Sequence, residues 1–292
     1  MRHFLFLAAM ALLFFVVPKS SFAQERFNLQ EKSNHHFYFS AAVAGEQTDI
    51  MLESGIPALL VGRDFYERVL QNSGLTFEPS ERQIRLLNDV YKIPFRAEGK
   101  VTVGNLVFDG PVFVLDGFPG ISMPIQYLKM ADGKKAFISL DFQDKIMTVN
   151  AQKPDVEGEK FKLRIDKKMG FPIVRSVLKM KTEDGTVNLK GDFSVDFGNP
   201  ELLFLMAQRK DVDKAMKSGK LTLIDILDPE TFEVIGNVIK TESTVVCGRK
   251  FEGKWVAVTD KMLAIEQLGF LGIPFFQKTV VFDFSGGEMI VQ

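Results

Sequence analysis

An acidic residue followed by glycine, proline and a leucine pair occurs twice in this chain, in the same order and spacing. Glu53-Ser54-Gly55-Ile56-Pro57-Ala58-Leu59-Leu60-Val61 matches Asp196-Phe197-Gly198-Asn199-Pro200-Glu201-Leu202-Leu203-Phe204, 143 positions further on. The ends of the two copies also correspond. Ile121-Ser122-Met123-Pro124-Ile125 is set opposite Leu271-Gly272-Ile273-Pro274-Phe275, which makes Ser122 the counterpart of Gly272. Leu140-Asp141-Phe142 is set opposite Phe282-Asp283-Phe284, with extra residues in the first copy around Ala131 to Lys135. Units this long are too large for a solenoid repeat, so they read as a duplicated domain. Pro154, Gly158 and several charges mark the boundary between Ala151 and Lys160, giving domains 24–152 and 153–292.

Within each copy, short alternating apolar segments separated by Gly, Asp-Gly or Asn turns predict strands. Phe37, Phe39, Ala41 and Val43 alternate, turn at Gly45 and return through Ile50-Met51-Leu52 to Glu53. In the second copy Ile173, Arg175, Val177 and Lys179 lead to the turn at Asp184-Gly185. Val187 and Leu189 then return to Asp196. A helix is expected after each acid, over Arg63–Asn72 and Met206–Ser218.

Met1-Arg2-His3 is a short basic start, and the apolar run Phe4–Val17 falls short of the ~20 residues of a membrane-spanning helix. Ser21-Phe22-Ala23 follows as a small-x-small exit, so residues 1–23 read as a signal peptide. The expected product is exported, periplasmic or extracellular, with no membrane insertion after cleavage. A net charge of −1 gives no reason to expect nucleic acid as a partner. The single Cys247 rules out an internal disulfide, so the core must supply stability, and 28 phenylalanines provide apolar area for it.

On Met51-Leu52-Glu53-Ser54-Gly55, Ser194-Val195-Asp196-Phe197-Gly198 and the ending Phe270-Leu271-Gly272 with Val281-Phe282-Asp283-Phe284, the chain resembles the retropepsin/pepsin-like aspartic peptidases. The resemblance covers nearly the whole chain beyond residue 23. It implies a mainly β protein of two pseudo-symmetric lobes with a cleft between them. It also implies a carboxyl dyad, Glu53 and Asp196, supported by Ser54, Gly55, Phe197 and Gly198. A flap is expected at Leu87–Lys92, with Tyr91 either reaching the ligand or packed as a buried structural tyrosine, and the matching stretch Leu227–Thr231 is the candidate loop for closing the other side. In such a site two close carboxyls share one proton, and the ionised partner activates a water. No metal or cofactor is called for.

The loops depart from the family pattern. Glu53 stands where aspartate is expected, and its extra methylene moves the carboxyl by about 1.5 Å. A displacement near 1 Å can cost about a hundredfold in rate. Phe197 replaces a Thr or Ser, removing one loop hydroxyl. The expected function is therefore binding of an extended polypeptide or peptide in the interlobe cleft, with hydrolysis impaired or lost. An active aspartic endopeptidase using the Glu53/Asp196 dyad is one alternative. A non-catalytic structural subunit of an envelope complex is another, and it predicts acids that are splayed apart and solvated. A monomer suffices, because both lobes lie in one chain.

His35 and His36 read as surface residues at a strand start, since neighbours on a strand face opposite ways and make a poor metal pair. Cys247 reads as a small buried hydrophobe in a strand, and Trp255 as a packing anchor. No phosphate loop, dinucleotide fingerprint or Ser-His-Asp elbow occurs.

Overall fold

The computed structural model describes residues 24–33, 35–86, 89–231, 233–259 and 265–292. The expected signal peptide and Leu87-Asn88 of the expected flap lie outside these residues. The described chain is mainly β and two-lobed. Among the described residues no helix is long and apolar enough to cross a membrane.

The two lobes repeat one wiring scheme. Strand Glu46–Glu53 runs into the first acid and pairs in parallel with Ile121–Pro124. That strand pairs antiparallel with Leu59–Gly62, which pairs in parallel with Leu106–Leu115. In the second lobe Gly185–Val195 runs to the second acid and pairs in parallel with Gly269–Leu271. There Leu203–Met206 takes the antiparallel place and Trp255–Thr259 the next parallel one. This crossed arrangement explains why the Leu-Leu pair recurs. Leu59 and Leu60, like Leu203, show no exposed surface, because a strand covered on both faces needs apolar residues at successive positions.

A shared sheet joins the lobes. Its order is Gln24–Asn28, Ile146–Asn150, Phe137–Asp141, Thr279–Asp283, Glu288–Val291 and Glu159–Ile165. At its centre Phe137–Asp141 from the first lobe pairs antiparallel with Thr279–Asp283 from the second. Above it an aromatic cluster crosses the junction, with Phe142 of the first lobe 5.6 Å from Phe197 of the second. Phe197 also lies 5.4 Å from Phe276 and 5.5 Å from Phe282. Burial of rings this large makes the junction part of the core rather than a hinge between independent domains.

Five sequence expectations are corrected. The second helix is Lys210–Lys217, shorter than expected, because Met206 completes a strand and the Ala207 N–H donates to Thr259 O at 2.7 Å. In strand Pro172–Thr182 the buried phase is Val174, Leu178 and Met180, and Val177 is exposed. Leu60 pairs with Ser122 whereas Leu203 pairs with Leu271, so Gly272 is not the counterpart of Ser122. Matching the two copies through Pro124 and Pro274 had shifted that register. Trp255 is 46% exposed and is no packing anchor, and Cys247 sits in a turn with φ of 51° after strand Ser243–Val246.

Leu140 is fully buried between Met147 and Val280 in the shared sheet. Leu140→Ala is expected to cost about 2–5 kcal/mol. Because the sheet spans both lobes, urea unfolding should remain one transition, not two, by fluorescence and circular dichroism alike.

Candidate functional site: a carboxyl pair under a flap

Glu53 ends its strand and Asp196 follows its own, so the repeated wiring delivers one carboxyl from each lobe to the junction. Glu53 is buried, while Asp196 keeps part of its surface open to the cleft. The two carboxyls lie close enough to interact directly, so the longer Glu53 still reaches its partner. Within each loop the acid accepts from its own backbone: Ser54 N–H donates to Glu53 Oε2 at 3.2 Å, and Gly198 N–H to Asp196 Oδ1 at 3.0 Å.

The loop glycines are required by packing. A Cβ on Gly55 would overlap the Asp196 carboxyl, and one on Gly198 would overlap the Glu53 carboxyl. Each loop therefore forms the wall against which the other acid rests. Ser54 ties the loops together: its Oγ donates to Val195 O at 2.9 Å and accepts from the Phe197 N–H at 3.1 Å. Phe197 offers no reciprocal hydroxyl, and its ring enters the aromatic cluster instead. One half of the junction is held by polar contacts and the other by apolar packing.

Burial is the main cause of the electrostatics. It raises the Glu53 carboxyl well above the usual carboxylate range, and the neighbouring Asp196 charge raises it further. Burial also pushes Asp196 up to about 6, with the Gly198 N–H and the hydrogen bond from Glu53 partly offsetting it. Both carboxyls are raised, so the pair holds one proton between them at a pH where ordinary carboxyls are ionised.

Above the acids lies a cleft of about 940 Å³. Strands Glu78–Leu86 and Asp89–Val103 form the flap hairpin, where Ile84 pairs with Tyr91. Tyr91 lines the cleft and packs edge-on against Phe118 at 5.5 Å. All seven residues singled out in the sequence therefore meet at this site: the six loop residues at the junction, and Tyr91 on the flap above them.

Other contributors escaped the sequence reading. His36 is not a surface residue: it lines the cleft, and its Nε2 donates to Gly198 O at 2.8 Å, across the lobes. The signal for it was register, since Tyr38 pairs with Met51 and continuing that ladder sets His36 beside Glu53. Gln126 Nε2 donates to Ser54 O at 3.2 Å and Gly170 O at 3.1 Å, a second cross-lobe tie. Met169 and Phe171 line the cleft from a loop with no motif of its own. Among the described residues, no group of three or more His, Cys, Asp or Glu side chains is placed to hold a metal ion.

No protein-family model matches the sequence, and no curated protein matches it. Solved structures do match. The aspartic proteinase from Irpex lacteus superposes with a TM-score of 0.57 at 10% identity, over 92% of this chain and 98% of that one. The fold is that of an aspartic proteinase. In an aspartic-proteinase fold the interlobe position of Glu53 and Asp196 follows from the chain path, and their protonation follows from their burial.

Two predictions follow from this geometry. Ser54→Ala removes both cross-lobe bonds of the hydroxyl and should cost about 2 kcal/mol in urea unfolding, at about 1 kcal/mol per bond. The raised carboxyls bind protons more tightly folded than unfolded, so stability falls as pH rises from the ordinary carboxylate range through about 6. Glu53→Gln should therefore be more stable than wild type at pH 7.5, because it removes a carboxyl whose charged form is disfavoured by burial. The gain should vanish below pH 4. An unchanged pH profile would contradict a shared proton.

Proposed function

We propose that this chain is exported through its N-terminal segment and binds an extended polypeptide in the cleft between its lobes, with hydrolysis weak or absent. The observation that carries this reading is the cleft itself, running between the flap and the buried acids. Met51, Ile56, Leu60, Phe118, Phe204 and Phe270 give it an apolar lining suited to side chains of an extended chain. The backbone of such a ligand would find polar partners near the loops and the flap. Both lobes, assigned to 24–152 and 153–292, contribute walls, so one chain completes the site without a second copy. Acids buried in contact argue against a purely structural envelope subunit, for which splayed and solvated acids were expected.

A slow endopeptidase is the second reading, favoured by one observation: the extra methylene of Glu53 has not broken its contact with Asp196. In that reading ionised Asp196 takes a proton from a water, the water oxygen bonds to the peptide carbonyl carbon, and Glu53 supplies a proton to the carbonyl oxygen. Collapse of the tetrahedral adduct expels the amine, which leaves with a proton from the dyad. The reduced pair of loop hydroxyls and the displaced carboxyl account for a low rate.

The test uses reduced, carboxymethylated lysozyme as an unfolded polypeptide, with binding read by fluorescence anisotropy and fragments by mass spectrometry from pH 4 to 8. Wild type is expected to bind it, and Phe118→Asp in the cleft wall to bind at least about tenfold more weakly, a loss of about 1.4 kcal/mol. If fragments form, their rate should rise with pH through about 6, as the pair loses the first of its two protons. Those fragments should be absent with Glu53→Gln and Asp196→Asn. No binding by the folded wild type would sink the reading.

A further inference from the structure

We propose that the polypeptide site continues out of the cleft over the face of the second lobe, to the edge strand Ile224–Leu227. There it takes an apolar segment of the bound chain flanked by basic residues. This rests on the polypeptide-binding reading above.

Residues paired across neighbouring strands point to the same face of a sheet. One such row runs from the cleft outwards: Phe270 pairs with Phe204, Phe204 with Ala257, Ala257 with Val238, and Val238 with Ile224. Phe270 and Phe204 line the cleft, Ala257 and Val238 are half-buried, and Ile224 is 42% exposed. Two positions along the same strands, Ile226 and Trp255 share this face and are 42% and 46% exposed. The opposite face carries Leu203, Leu205, Ile239, Val256 and Val258, all buried in the core. The exposed row is therefore a second apolar face, continuous with the cleft. Scattered surface hydrophobes are ordinary, but a contiguous apolar patch marks an interaction site.

The edge supports the same reading. Strand Ile224–Leu227 is the last of its sheet, and among the described residues no strand pairs with its outer side. Exposed edges are normally blunted by charge, proline or a bulge that twists them away. The only charge in this strand is Asp225, which accepts from Asn237 Nδ2 at 2.7 Å, and a bulge falls only at its far end, between Ile226 and Leu227, leaving Ile224–Ile226 as a regular open edge. The hairpin is also the positional counterpart of the flap: each follows the helix after its acid, and the flap turns Ile84 and Tyr91 to the cleft.

Charge narrows the occupant. The hairpin from Leu221 to Ile239 has Asp225, Asp228, Glu230 and Glu233 and neither Lys nor Arg; Lys220 and Lys240 lie just beyond its ends, with Lys240 set beside Trp255. Two copies joined edge to edge would bring these acids together, which disfavours a dimer at this surface. An anionic lipid surface is disfavoured on the same ground. An extended apolar segment with Lys or Arg at its ends satisfies the open edge, the apolar face and the acidic rim together.

The test compares wild type with the double variant Ile224→Lys/Ile226→Lys, whose exposed positions leave the core intact, as far-ultraviolet circular dichroism would verify. Probes are reduced, carboxymethylated lysozyme, and two labelled peptides sharing a central apolar stretch of six residues, one flanked by lysines and one by glutamates. The double variant is expected to bind the unfolded lysozyme and the lysine-flanked peptide at least about fivefold more weakly, and wild type to prefer lysine over glutamate flanks. Equal affinities for wild type and the double variant, with Phe118→Asp still defective, would overturn this extension and leave the cleft reading standing. Absence of binding by wild type would overturn both. A wild-type dimer in sedimentation that the double variant abolishes would assign the face to a second copy and overturn the polypeptide segment.

Discussion

Two carboxyl groups held in contact, one buried and the other open only to the cleft, set the terms for everything else at the junction of the lobes. Burying a charge is costly, and burying two like charges side by side is costlier, so the pair keeps a proton that exposed carboxyls would release. The loops around the pair are built to tolerate this. Backbone N–H groups of Ser54 and Gly198 point at the acids, and glycine at 55 and 198 lets each loop close on the opposite carboxyl. The shared sheet and the Phe142, Phe197, Phe276 and Phe282 cluster hold the lobes in the register that brings the acids together.

The replacement of a loop hydroxyl by Phe197 shows how such a junction can change its means of support. A hydroxyl contributes about one net hydrogen bond, whereas a buried phenyl ring contributes more through area and ring packing. Phe197 thus gives stability to the interface while giving up a polar tie that helps orient the loop. Ser54 keeps both of its cross-lobe bonds, and His36 and Gln126 add ties of their own. The loop geometry survives with different chemistry on its two sides.

Much of the site was legible in the chain itself, because duplication makes weak motifs informative. An acid before a turn is commonplace, but Glu53 and Asp196 at corresponding places in two similar stretches point to a meeting of the two. The strand alternation of Phe37–Val43 and the helix near Arg63 were also readable, since burial on one face imposes a period on the residues. His36 was misread because its place is set by the hairpin at Gly45, which, followed to its end, puts it beside Glu53, and Trp255 was misread for a different reason. The surroundings of Trp255 depend on strands far away in sequence, and a single chain segment carries no record of such lateral neighbours.

By itself the sequence determined that two similar β units exist, that each carries an acid at a turn, and that apolar alternation would drive each to form sheets. Those properties are local: they rest on side-chain period, turn residues and repetition. The tertiary structure alone shows that the longer Glu53 still reaches Asp196, that burial raises both carboxyls, and that His36 spans the lobes. Only it showed an apolar row leading from the cleft to the edge at Ile224. Each of these is set by non-local strand pairing and by the exclusion of water, which arise when segments far apart in sequence are packed against one another.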